Sequence, residues 1–153
     1  MNIIRIVAII LAIAGTATLV WFWFGQGRHS AISVTPTATV TVGAATFRVE
    51  LAETMLRQAA GLSGRSPLAE DEGMLFIFSG KASQTFWMKG MRFPLDFVWI
   101  AEGVVVGVTE NAPADNGLLT YGSPGPVDMV LEINAGEVAK KGIRKGQNVI
   151  VER

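Results

Sequence analysis

Cysteine is absent from this chain of 153 residues. That excludes disulfides, thiolate nucleophiles, thiolate metal sites and acylation of an N-terminal cysteine. Histidine is nearly absent. The only one, His29, lies beside an apolar N-terminal stretch, so a Ser-His-Asp triad or a histidine-based zinc site in the rest of the chain is excluded. Charge is sparse as well, with 13 basic residues balanced by 13 acidic ones. Residues 1–30 hold only Arg5 and Arg28, which leaves 11 basic and 13 acidic side chains beyond them, a net charge of −2. A mildly acidic domain lacks the basic footprint that a phosphate backbone requires, so no nucleic-acid partner is predicted. Neither a metal nor a cofactor is predicted.

What the chain does have is one long uncharged run. Ile6 to Phe24 reads IVAIILAIAGTATLVWFWF, 19 residues without a charge. As a helix it would cross roughly 30 Å of hydrocarbon. Arg5 before it favours a cytoplasmic N-terminus, while Trp21 and Trp23 suit the membrane interface. The run ends in bulky aromatics without a small-residue cleavage site, which favours an uncleaved anchor over a signal peptide. The expected organisation is a membrane anchor or signal segment over 1–24, a linker over 25–38 and one domain over 39–153. The membrane is met through residues 3–24, and the domain is expected on the extracytoplasmic side of the cytoplasmic membrane, or secreted if the segment is cleaved.

Beyond the linker the pattern is that of short strands. Val40 and Val42 lie before Gly43-Ala44-Ala45, and then Phe47, Val49 and Leu51 alternate with Thr46, Arg48 and Glu50. That period of two is a half-buried strand. A short helix is expected over 53–60, with Thr54 as its N-cap and Gly61 as its stop. Further strands are expected over 73–78, 85–89, 93–100, 104–109, 128–134 and 148–152. A turn is expected over 79–83, a long loop over 112–126 and a helical turn over 135–141. The fold class predicted is mostly β (α+β): a small barrel-like or sandwich domain with one or two short helices and no βα alternation, behind one N-terminal transmembrane helix.

Three passages, GLSGRSPLAEDEGMLFIF, FWMKGMRFPLDFVWI and VLEINAGEVAKKGIRKGQNVI, occur in this order. Together they resemble the uncharacterised family called domain of unknown function 192, over about residues 40–153. The resemblance implies a small β-barrel-like domain behind a signal or anchor segment, and no established activity. One position departs from it: Ser63 follows Gly61-Leu62, where the resemblance leads one to expect a second apolar residue, usually Met.

The candidate site residues are Trp87, Lys89, Asp96, Arg65, Tyr121 and Glu132. On an alternating strand Trp87 and Lys89 share the face opposite Phe86 and Met88. An indole beside a cation suits a small anionic or sugar-like ligand; the architectural alternative has Trp87 covering the core rim under Lys89. Asp96, between Leu95 and Phe97, needs a partner, for which Lys89, Arg92, Arg57 and Arg65 are candidates. Glu132, between Leu131 and Ile133, poses the same question. Were the two carboxylates to converge, they would bind a hard cation or act as an acid–base pair. Arg57 and Arg65 flank Gly61-Leu62, with Glu70, Asp71 and Glu72 as candidate partners. Tyr121, in the long loop, would either anchor that loop or reach over a pocket.

With no recognisable catalytic set, the leading expectation is an uncharacterised binding or accessory module rather than an enzyme. A hydrolase using Asp96 and Glu132 is the first alternative. A structural envelope domain that docks an unidentified protein is the second.

Overall fold

The computed structural model describes residues 35–114 and 119–153. The expected membrane helix, the start of the linker and residues 115–118 lie outside them. Among the described residues no helix is long and apolar enough to cross a membrane.

Within the described residues nine strands and two short helices follow in order: β1 (Thr37–Val42), β2 (Ala45–Ala52), α1 (Met55–Ala60), β3 (Glu72–Ala82), β4 (Thr85–Trp87), β5 (Leu95–Ala101), β6 (Val104–Ala112), β7 (Thr120–Gly122), β8 (Val127–Asn134), α2 (Glu137–Lys141) and β9 (Val149–Glu152). Seven strands make one sheet in the order β6-β5-β8-β3-β2-β1-β9, and β4 with β7 makes a separate ribbon. The sheet curls until its edges meet. Val104 bridges Asn148, and Val105 N–H donates to Gln147 O at 2.9 Å. The result is mostly β, an α+β half-barrel with two short helices.

Turn chemistry shapes several corners. Glu102 and Gly103 both have positive φ, 51° and 73°, as the tight β5–β6 hairpin demands. Thr54 caps α1 through its hydroxyl, which accepts from Arg57 N–H at 3.3 Å, and Gly61 ends the helix.

The sheet is covered on both faces at its centre. One buried cluster gathers Val40, Phe47, Leu75, Val98, Leu131 and Val149 from strands across the whole sheet, as the inside of a curled sheet must. A second lies on the other face of β3, β5 and β8, with Met74, Phe76, Phe97, Trp99 and Val130. Leu62, Met88, Met91 and Phe93 cover it together with the ribbon. Strands buried on both faces read as unbroken apolar runs, which is why 73–78 and 93–100 lack alternation.

Four expectations are corrected here. β2 and β3 are parallel and joined through α1, so there is one βα crossover where none was predicted. The expected turn over 79–83 is largely strand, since β3 bulges after Ile77 and pairs again at Ala82 with Val127. The expected loop over 112–126 contributes β7, which pairs with β4. β1 begins at Thr37, inside the predicted linker.

Asp96 is also corrected. It is fully buried, and its partners are backbone amides rather than lysine or arginine. Asn111 N–H donates to its Oδ1 at 2.7 Å, and Val138 N–H donates to its Oδ2 at 2.9 Å. Asn111 has a positive φ of 55°, and the β5–β6 register slips beside Asp96. One carboxylate therefore ties a bulge in β6 and the first turn of α2 to the central strand. Charge-assisted bonds of this kind are the strong ones.

Replacing Asp96 by Asn leaves one of these amides facing an NH₂ group. Urea melts of the two chains at neutral pH should show a loss of about 2–4 kcal/mol. An unchanged midpoint would contradict the architectural role.

Candidate functional site

Strand register decides what the two central carboxyl groups can do. Asp96 stands opposite Ile133, and Glu132 stands opposite Phe97 on β5 and Met74 on β3. Directly paired residues share a face. Asp96 therefore lies on the face of the inner cluster and Glu132 on the face of the outer one. They do not converge, so the condition for a shared cation site or acid–base pair is not met. Among the described residues no group of three or more ligating side chains is placed to hold a metal.

Glu132 lines the floor of a cavity of about 360 Å³. Phe76 and Phe78 of β3 lie beside it. The end of α1 and the turn after it, Gln58 to Ser63, form one wall, and β4 with Thr120 and Met91 forms the other. The walls are held together by two contacts: Ser63 Oγ donates to Lys89 O at 3.1 Å, and Gly64 N–H donates to Gly90 O at 2.9 Å. Phe86 pins the ribbon to the sheet, its ring centroid 4.9 Å from Phe76, 5.5 Å from Phe97 and 5.7 Å from Trp99.

The chemistry of the floor is unusual. Glu132 is 5% exposed, and its Oε2 has no hydrogen-bond partner. Burial away from water disfavours its charged form and pushes its pKa up to about 8. At neutral pH Glu132 is therefore mostly a neutral acid. It can donate as well as accept, and it becomes a carboxylate when a cation meets it.

Of the six predicted site residues, the structure brings Trp87 and Glu132 into this cavity. Trp87, 59% exposed, stands at the mouth. Lys89 stands against Trp87, its Nζ 5.8 Å from the ring centroid. Tyr121 lies opposite Phe86 in the ribbon, and its hydroxyl is buried without a partner. Arg65 is committed elsewhere, forming a bidentate pair with Glu50 at 2.6 and 3.0 Å. That pair holds the Arg65 pKa above its ordinary value. The acids expected for Arg57 and Arg65 have other partners: Glu70 pairs with Lys140, Asp71 with Lys141 and Glu72 with Arg48. Asp96 belongs to the opposite face.

The residues missed are Phe76, Phe86, Met91, Gln58 and Ser63. Ser63 carried a signal, being polar where the family resemblance leads one to expect an apolar side chain.

A family model for the domain of unknown function 192, described as "Uncharacterized ACR", matches residues 38–151. The chain belongs to this family.

No curated protein matches the chain. Two crystal structures resemble this member of the family. One is of a Sinorhizobium meliloti 1021 protein provisionally described as a transcription regulator, 32% identical, covering 76% of this chain and 95% of its own, with a TM-score of 0.73. The other is a protein of unknown function from Novosphingobium aromaticivorans DSM 12444, 34% identical, covering 78% of this chain and 89% of its own, also with a TM-score of 0.73.

The raised Glu132 pKa has a sign that stability can report. As pH rises, the unfolded chain releases this proton first, near the ordinary glutamate value of 4.5, while the folded chain keeps it to about 8. Stability therefore falls between those two values and is flat above them. At about 1.4 kcal/mol per pKa unit, the cost at pH 7 is ~3 kcal/mol. Glu132→Gln should accordingly raise stability by ~3 kcal/mol at pH 7, with the gain gone at pH 4. Denaturant melts at the two pH values check this; a gain independent of pH would contradict it.

Proposed function

We propose that this domain is a binding module that takes a small, largely apolar ligand into the Glu132 cavity, with the polar end of the ligand on the carboxyl group. The observation that carries the reading is the buried acid Glu132, with an unpartnered Oε2, among the residues that line an aromatic cavity. Leaving a buried acceptor unmade costs free energy, and proteins concentrate such costs where a ligand repays them. An apolar pocket with a few polar groups and a perturbed acid is the expected form of a small-molecule site.

Binding is favoured over hydrolysis by the same geometry. Among the described residues Glu132 is the only ionisable one lining the cavity, with no second carboxylate or nucleophile–base pair beside it. The residues around the cavity do not support a role at DNA, and the net charge of −2 beyond residue 30 supplies no basic face. An N-terminal tether to the cytoplasmic membrane, with the domain outside the cytoplasm, rests on the uncharged run from Ile6 to Phe24.

Benzyl compounds serve as probes of the site. Titration of benzylamine, benzyl alcohol or benzamide should shift the backbone amide signals of Leu62, Ser63, Phe86 and Trp87 and few others. Ala60→Trp, at an exposed position on the wall, should abolish the shifts while changing stability by less than about 0.5 kcal/mol. Shifts scattered over the surface, or none with any probe, would contradict the proposal.

A further inference from the structure

We infer that the ligand of the Glu132 cavity is an organic cation, an ammonium or substituted ammonium group carried on an apolar body. This rests on the reading of the cavity as a binding site and names the ligand class.

Among the described residues the lining holds one ionisable side chain, the acid Glu132, and no lysine or arginine. An anionic ligand would find no cation there. Lys89, the cation nearest the mouth in sequence, is outside the lining and stands on Trp87. The remaining polar lining groups are neutral, and the side-chain amide of Gln58 already donates to Ala52 O at 3.1 Å and to Ile77 O at 2.9 Å.

Four aromatic residues, Phe76, Phe78, Phe86 and Trp87, line the same space. Aromatic faces carry negative quadrupole charge and attract cations within about 6 Å. The chain itself uses this property, since the Lys89 ammonium lies 5.8 Å from the Trp87 centroid. The cavity thus joins aromatic walls to one acidic floor.

An ammonium group supplies what Glu132 Oε2 lacks, an N–H donor, together with the charge that a carboxylate requires in an apolar setting. A hydroxyl supplies the donor alone. An anion supplies neither. The volume of about 360 Å³ lies at the small end of ligand pockets, which suits an amine on one ring or a short aliphatic body.

Benzylamine and benzyl alcohol test the class, since they match in shape and differ in charge. Each is titrated into the full chain and into Glu132→Gln, and binding is followed by intrinsic tryptophan fluorescence and ligand-observed NMR. The parent should bind benzylamine at least about tenfold more tightly than the alcohol. Glu132→Gln should bring the two probes to within about twofold of each other by weakening the amine alone. Equal binding of the two by the parent would overturn the cation assignment and leave the binding-site reading standing. So would an amine preference that survives in Glu132→Gln. Failure of both probes to bind the parent would overturn the binding-site reading itself.

Discussion

A carboxyl group placed in a strand that is buried on both faces has to find donors inside the protein, find a ligand, or stay protonated. The centre of this fold meets that constraint twice. Asp96 on β5 resolves it internally, accepting one amide from the β6 bulge and one from α2. Those two bonds decide where β6 bends and where α2 starts, so the architecture around the inner cluster is organised by a charge. Glu132, one strand away on β8, faces the other side, and its Oε2 has no such donor among the described residues. The contrast separates the architectural carboxyl from the functional candidate.

The cavity exists because the outer face of β3, β5 and β8 is covered by two pieces rather than one. The ribbon of β4 and β7 packs through Phe86 and Tyr121, and the segment after α1 packs through Leu62. The pieces touch where Ser63 and Gly64 bond the backbone at Lys89 and Gly90, and they part over Glu132. A longer apolar residue in place of Ser63 would lose the hydroxyl bond to Lys89 O and crowd the lining. This gives the departure at Ser63 a consequence at the site.

Much of the fold was legible from period and punctuation. The alternation over 46–52 is β2, and the Thr54 cap and Gly61 stop bound α1. The extension of β3 past Ser79 and the strand β7 were not legible. Both depend on partners distant in sequence, and the residues concerned are small, polar or Gly-rich. At the site, Glu132 stood out because a lone acid in an apolar strand is costly. Its separation from Asp96 did not, because the face a strand residue occupies depends on register, which a single sequence leaves open between distant strands. The partner of Arg65 was likewise not legible: Glu50 lies on β2, distant in sequence from the acids at 70–72.

The central claim is that Glu132 is held as a neutral acid by burial, and it can be observed directly. In protein labelled with ¹³C at the glutamate carboxyl carbon, the Glu132 signal, assigned by its loss in Glu132→Gln, is followed by NMR from pH 3 to 10. The expected titration midpoint is about 8, well separated from the exposed glutamates. A midpoint near 4.5 would show a solvated or internally paired carboxylate, and would contradict both the buried acid and the site built on it.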